Sequence, residues 1–137
     1  MLRIDGSHTE GGGQIVRSAV VLSALTGIAI EITWIRAKRK QAGLRFQHCA
    51  AVRVVTCTCD GDTEGNDSGS DRLLFSPGTI RRSSCVVVVG TAGSIALVLQ
   101  SWLPVALSRG GTLEVTGGTD YGIQVREGRN REVVFSA

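Results

Sequence analysis

Aromatic side chains are scarce, at 4% of 137 residues, and there are only two prolines. A core must therefore be filled by small aliphatic and β-branched residues, which the 42% hydrophobic share supplies. No apolar run reaches the ~18 residues expected of a membrane span. Val86–Val89 is too short, and Ile95–Leu107 is interrupted by Gln100, Ser101 and Pro104. The opening MLRID carries an acid where an export signal would be apolar. These features predict a soluble protein with no membrane partner, cytoplasmic, or nuclear in a eukaryote. No C-x₂-C pair occurs among Cys49, Cys57, Cys59 and Cys85, so the spacing does not offer zinc. Without an export signal the cysteines are expected to be free, mostly buried thiols. Neither GxxxxGK[ST] nor GxGxxG is present, which excludes a P-loop or a Rossmann turn. Lysine is rare as well: arginine supplies 13 of the 15 positive charges, and its planar fork suits bidentate phosphate contacts.

What is present is organised around Asp5–Arg17, DGSHTEGGGQIVR. Gly11, Gly12 and Gly13 separate a short apolar run, Leu2 and Ile4, from a long one, Ile15 to Leu25. That order predicts strand, glycine turn and helix. Glycines permit positive φ and close approach of a ligand, and the N–H groups opening the helix form a ready anion site. Glu10, Gln14 and Arg17 stand around this mouth, the last two on one helix face. On pattern alone, a plain strand-to-helix corner with solvated polar residues explains the stretch equally well. The turn needs backbone freedom and close approach at Gly12, so Gly12→Val is expected to disturb ligand binding or folding.

Along the chain, Leu2–Asp5 reads as a strand. Ile15–Leu25 reads as a buried helix, apolar nearly all round, that stops at Gly27. Ile28–Ile35 alternates, with Ile28, Ile30, Ile32 and Trp34 on one face of a strand. From Arg36 to Arg53 there are six bases and no acid, a candidate phosphate face or a solvated basic loop. A helix is predicted from about Leu44 to Cys59, with Leu44, His48, Ala51, Val52, Val55 and Cys59 as its apolar stripe. There His48 reads as a satisfied core residue. Asp60–Asp71 holds five acids and no base, and reads as either a turn-rich connection or an irregular strand. Arg72–Phe75 is the next strand, ended by Pro77-Gly78. A second unit then repeats the first. Cys85–Val89 is a buried strand, Gly90–Gly93 its turn, Ser94–Leu107 a helix that Pro104 could kink, and Thr112–Thr116 a strand. Gly13-Gln14-Ile15 and Gly93-Ser94-Ile95 correspond 80 residues apart, which suggests a duplicated α+β module. Arg131–Phe135 could form a terminal strand.

Four stretches in order and at matching spacing, EGGGQIVR after DGS, then IRAKRKQAGLRFQH, GTAGSIALVLQ and GGTD, resemble the amino-terminal part of RNA 3'-terminal phosphate cyclases. The resemblance runs from about Leu2 to Asp120 and implies an α+β fold. Its units place two helices on a four-stranded sheet, similar to the carboxy-terminal domain of translation initiation factor 3. Residues 1–80 would form one complete unit, 81–120 part of a second, and 121–137 a divergent or truncated tail, in a single compact domain. The resemblance implies ATP-dependent conversion of an RNA 3'-phosphate to a 2',3'-cyclic phosphate through an enzyme-AMP intermediate. Its partners would be RNA with a 3'-phosphate end, ATP, and a divalent metal, Mg or Mn.

Residue by residue, the resemblance assigns Glu10 and Arg17 to catalysis, with Glu10 also the metal ligand. Arg36, Arg39 and Arg45 would hold RNA phosphates. Gly11, Gly12, Gly13, Gln14, Gln47 and Gln100 would hold the nucleotide. Phe46 stands where the family favours proline, and Ala42 departs from it in the same loop. The family's nucleophilic histidine belongs to a motif like H-x-A-D-Q, which does not occur here. The chain alone is therefore expected not to complete the reaction. Non-catalytic cyclase-like and small RNA-binding readings stay open beside the enzyme, and an exposed sheet edge in the second unit would favour self-association.

Overall fold

The computed structural model describes residues 1–8, 12–89, 92–116 and 132–136. Strand β1 (Leu2–Asp5) leads into helix α1 (Gly13–Thr26), which returns to strand β2 (Ile30–Thr33). Helix α2 (Phe46–Cys59) follows, then strands β3 (Asp62–Glu64) and β4 (Leu73–Ser76). Their sheet has the order β1-β2-β4-β3, with β1 and β2 parallel and the other two pairs antiparallel. The second unit comprises β5 (Ser83–Val88), α3 (Ala92–Ala106), β6 (Gly111–Thr116) and β7 (Glu132–Ser136), its sheet ordered β5-β6-β7. The architecture of the described residues is α+β: three helices packed against a four-stranded and a three-stranded sheet.

The duplication read from the sequence extends to the pairing register. Leu2 pairs with Ile30 and Ser83 with Gly111, so in both parallel pairs residue n meets residue n + 28. In each unit an antiparallel strand then adds to the far side of the second parallel strand, β4 to β2 and β7 to β6. Equal crossover lengths seat α1 and α3 alike over their strands. Helix α2 packs against α1, α3 and β5, joining the units. One hydrophobic cluster runs through both units, from Val16, Ile32, Leu73 and Phe75 to Val87, Ile95, Trp102 and Leu113. Each such side chain, fully withdrawn from water, contributes roughly 1.5–3 kcal/mol before entropy is charged.

Several expectations are corrected. Helix α1 is not buried on all sides. Val16, Val20, Ser23 and Ala24 are buried, whereas Leu22 and Leu25 are exposed, because the helix has protein on one side only. Gly27 does end it, at φ 75°, with its N–H donating to the Ser23 carbonyl at 2.9 Å. Strand β2 is shorter than the alternation suggested, and Ile28 and Trp34 lie outside it, both exposed. At Trp34 the backbone turns left-handed, φ 56°, at a cost of about 1 kcal/mol or more. The turn reverses the alternation, so Ile35 enters the core at 0% exposure in place of the indole. The Ile35 N–H donates to the Asp71 carbonyl at 2.9 Å, fixing the reversal.

Helix α2 starts two residues later than expected, so Leu44 precedes it, but all six residues of the expected apolar stripe are withdrawn from solvent. The acidic segment resolves into β3 with turns on either side. Strand β5 is only half buried: Cys85 and Val87 face the core, while Val86 and Val88 face outward, because its sheet is covered on one face. Pro104 sits within α3, in its last turn, where it has no N–H to donate to the Gln100 carbonyl. Cys49 and Cys59 are free and buried, as expected, but Cys57 and Cys85 are joined in a disulfide between α2 and β5, with Cα atoms 6.2 Å apart. Helix packing brings together two residues whose sequence context gave no sign of pairing. Gly90 and Thr91 of the second turn, Arg131, and all of the tail except 132–136 lie outside the described residues. No helix among the described residues is long and apolar enough to cross a membrane.

Candidate phosphate-binding site

Three segments converge at one end of the first unit: the start of α1, the loop 34–45 and the start of α2. Gly12 is the N-cap of α1, with φ −90° and ψ 178°, ordinary extended backbone. The backbone there needs no glycine, so the significance of Gly12 is close approach. Among the described residues no side chain caps α1, and no acid lies in its first turn. Its opening N–H groups and dipole therefore favour an anion. A Cβ on Gly12 would come 3.0 Å from Nη2 of Arg39, which places that guanidinium over the glycine corner. A Cβ on Gly13 would fall inside the imidazole of His48, since Nε2 and Cδ2 already lie against the glycine. Glu10 and Gly11 lie outside the described residues.

His48 is the hub of this corner, with 4% of its surface exposed. Its Nδ1 accepts the backbone N–H of Arg45 at 3.0 Å, capping α2. In the neutral ring the proton then sits on Nε2, the nitrogen that faces Gly13. Burial, reinforced by Arg36, Arg17 and Arg45, pushes its pKa down to about 4. Arg17 and Arg36 are also lowered, both chiefly by burial, and Arg36 further by Arg45 and Arg39. Among the described residues the ion pairs are Arg72 and Arg3 with Glu31, on the first sheet, and none involves the arginines of this corner. Among the described residues no carboxylate pairs with this set of mutually repelling cations, and binding an anion would relieve their repulsion.

Not every arginine has the same task. Arg36 donates from Nη1 to the carbonyls of Gln41 and Gly43, both at 2.8 Å, and Gly43 N–H donates to the Ile35 carbonyl at 2.9 Å. These bonds hold loop 35–43 closed, so Arg36 has a structural role as well. Arg45 donates to Oε1 of Gln41. Arg39 is exposed. Arg17 donates to Oε1 of Gln14 at 2.8 Å, and Gln14 donates to Ser18 Oγ at 2.8 Å.

Gln14, Arg17, Ser18 and Leu22 of α1, with Gln100 and Ser101 of α3, line a pocket of about 280 Å³. The structure therefore brings Gln14, Arg17 and Gln100 together, and gathers Arg36, Arg39 and Arg45 around His48 and the glycines. Gln47, half-buried on the first turn of α2, is not part of the pocket wall. Sequence reading missed the contact of His48 with Gly13, and missed Ser18 and Ser101. The regular spacing of Gln14 and Ser18, four apart on one helix face, was the available signal for Ser18. Among the described residues no three His, Cys, Asp or Glu side chains cluster to hold a metal.

The depressed pKa of His48 has a consequence for stability. The unfolded ring titrates near 6.5 and the folded ring near 4, so between these values the unfolded chain binds more protons. The contribution is complete above pH 6.5 and is lost as pH falls toward 4. Lowering pH from 7 to 5 should remove about 2 kcal/mol, measured by urea unfolding. His48→Asn, whose amide oxygen can still accept the Arg45 N–H, should flatten that dependence. An equal pH dependence in the variant would rule out His48 as its source.

The model of the RNA 3'-terminal phosphate cyclase family matches residues 8–133. Among similar proteins, an RNA 3'-terminal phosphate cyclase of Nitrosospira multiformis is 46% identical over 122 residues, covering 88% of this chain and 35% of the relative. Those of Metallosphaera sedula, 47% identical over 120 residues, and Methanopyrus kandleri, 46% over 122, cover 36% and 35% of their own lengths. The chain spans about a third of the length of these curated relatives.

Proposed function

Because the chain belongs to the RNA 3'-terminal phosphate cyclase family, we propose that it holds the phosphate of an RNA 3' end, as a cyclase-like RNA-binding unit that does not itself supply a nucleophile. The observation that carries this reading is the α1 N-terminus beneath Arg39, capped by no described side chain, with Arg17, Arg36 and Arg45 close enough to depress His48. The backbone N–H groups at Gly13 and beyond would bind phosphate oxygens, the guanidinium of Arg39 would neutralise them, and Nε2–H of His48 would add a neutral donor. His48 is a poor candidate for covalent chemistry, being buried with Nδ1 already engaged.

The pocket between α1 and α3 fits part of a nucleotide such as ATP. Gln14 and Gln100 offer amide donors and acceptors, and Arg17 a phosphate contact. ATP would supply the activated phosphoryl group for ring closure in the longer family members. A divalent metal, Mg or Mn, is proposed at Glu10 only, and the described residues add no carboxylate cluster to hold it. The outer strands β5 and β7 of the second sheet are the edges through which self-association would run.

Binding of a 3'-phosphate-ended oligoribonucleotide, followed by fluorescence anisotropy over a salt series, tests the reading. Arg39→Ala should weaken binding across sequences alike and reduce the salt slope by about 0.7 to 1. An unchanged slope would remove Arg39 from the phosphate contacts. Complete absence of RNA binding by the unaltered chain would sink the proposal.

A further inference from the structure

Only five of the described residues are Phe, Trp or Tyr, and they divide sharply by position. Phe75 and Trp102 are buried and Phe135 is half-buried, all in the two-sheet core. The remaining two, Trp34 at 63% and Phe46 at 76% exposure, bracket the basic loop that carries Arg36, Lys38, Arg39, Lys40 and Arg45. They also leave the loop at the same end, because the Gly43 N–H donates to the Ile35 carbonyl and closes the segment between them. Trp34 is held outward by its left-handed backbone, a conformation a bulky side chain rarely adopts. Burying the indole would have required only continuation of the strand, yet the chain buries Ile35 instead. Beside the indole is a hollow of about 180 Å³ walled by Thr33, Asp71 and Arg72.

We infer that Trp34 and Phe46 are stacking platforms for the bases of single-stranded RNA whose end phosphate lies in the arginine corner. The inference rests on the proposed phosphate-binding role. An exposed ring at each end of a cationic loop is the combination that tracks a single strand: the cations take phosphates, and the rings take bases of any identity. In the hollow beside Trp34, Asp71 can accept a hydrogen bond from an exocyclic amino group and Arg72 can donate to a base carbonyl. This arrangement predicts a modest preference for bases that carry both groups over uracil.

The test titrates the full chain with a 3'-phosphate-ended single-stranded oligoribonucleotide and with an abasic oligonucleotide of equal length and charge. Because Trp102 is buried, quenching of tryptophan emission on RNA binding should come from Trp34 and vanish in Trp34→Leu. Trp34→Leu should weaken binding of the RNA about 10-fold, leave the salt slope unchanged and leave the abasic strand unaffected. Trp34→Phe should recover most of the loss. Phe46→Ala, a change at an exposed helix position, should behave like Trp34→Leu and guards against a folding defect at the left-handed site. Equal losses on the RNA and the abasic strand, or no loss on either, would overturn the stacking inference. Arg39→Ala would still report the phosphate site in that case, so the two readings fail separately. If the two substitutions changed the apparent mass of the protein in gel filtration and not its RNA affinity, the rings would belong to a protein contact and the inference would be wrong.

Discussion

Gly13→Ala is expected to destabilise the protein by about 2–3 kcal/mol, and Gly12→Ala by much less. The asymmetry is not visible in the run Gly11-Gly12-Gly13 itself. At Gly12 the backbone suits any residue, and an added methyl meets the far end of the flexible Arg39 chain at 3.0 Å. Arg39 can swing aside, so the loss there should appear in anion affinity. The methyl of Gly13→Ala meets an imidazole ring that is buried and pinned through Nδ1 to the Arg45 N–H. Either α1 shifts away from α2 or His48 leaves its cap and gives up that bond. Helix propensity favours alanine by up to about 1 kcal/mol, which offsets only part of the clash. Urea unfolding of Gly13→Ala, His48→Ala and the double variant checks the argument. The double variant should lie close to His48→Ala alone, because the obstacle is gone. A Gly13→Ala protein as stable as the unaltered one would show that helices α1 and α2 do not meet here.

Reduction of the Cys57–Cys85 disulfide is expected to cost about 3–4 kcal/mol, through the entropy of a denatured chain no longer closed over a separation of 28 residues. For a chain of this size that corresponds to a fall of roughly 10 °C in melting temperature. The link joins α2 of the first unit to β5 of the second, so its loss should loosen the contact between units before either sheet melts. Thiol titration of the denatured, unreduced protein should find two groups, Cys49 and Cys59, and four after reduction. Cys57→Ser should reproduce the reduced protein and become insensitive to reductant. Four thiols without reduction, or an unchanged melting temperature, would contradict the linkage.

The order of elements was legible because it depends on local pattern. The apolar stripe of α2, the stop at Gly27 and the correspondence of Gly13 with Gly93 are set by neighbours within one or two turns, and each survives in the structure. The equal registers of the two parallel pairs follow from the same duplication. The family, too, was carried by short motifs in sequence order, and the match over residues 8–133 extends that likeness past the last of them.

Tertiary structure decided everything that depends on what stands opposite. Alternation alone placed Trp34 on one strand face with Ile30 and Ile32, but the Ile35 to Asp71 hydrogen bond, spanning 36 residues, reverses the chain there and turns the indole outward. Nothing near Cys57 or Cys85 marks them as partners; the packing of α2 on β5 does. Gln100 reaches the pocket of Gln14 and Arg17 only because α3 lies against α1. His48 read correctly as buried, yet its position between Gly13 and three arginines required α1, loop 34–45 and α2 to converge. The sequence by itself determined the strands, helices and repeated unit, since periodicity and glycine stops act over a few residues. Which of those residues face one another across the site was settled by packing, because contacts between distant segments leave no periodic trace in the chain.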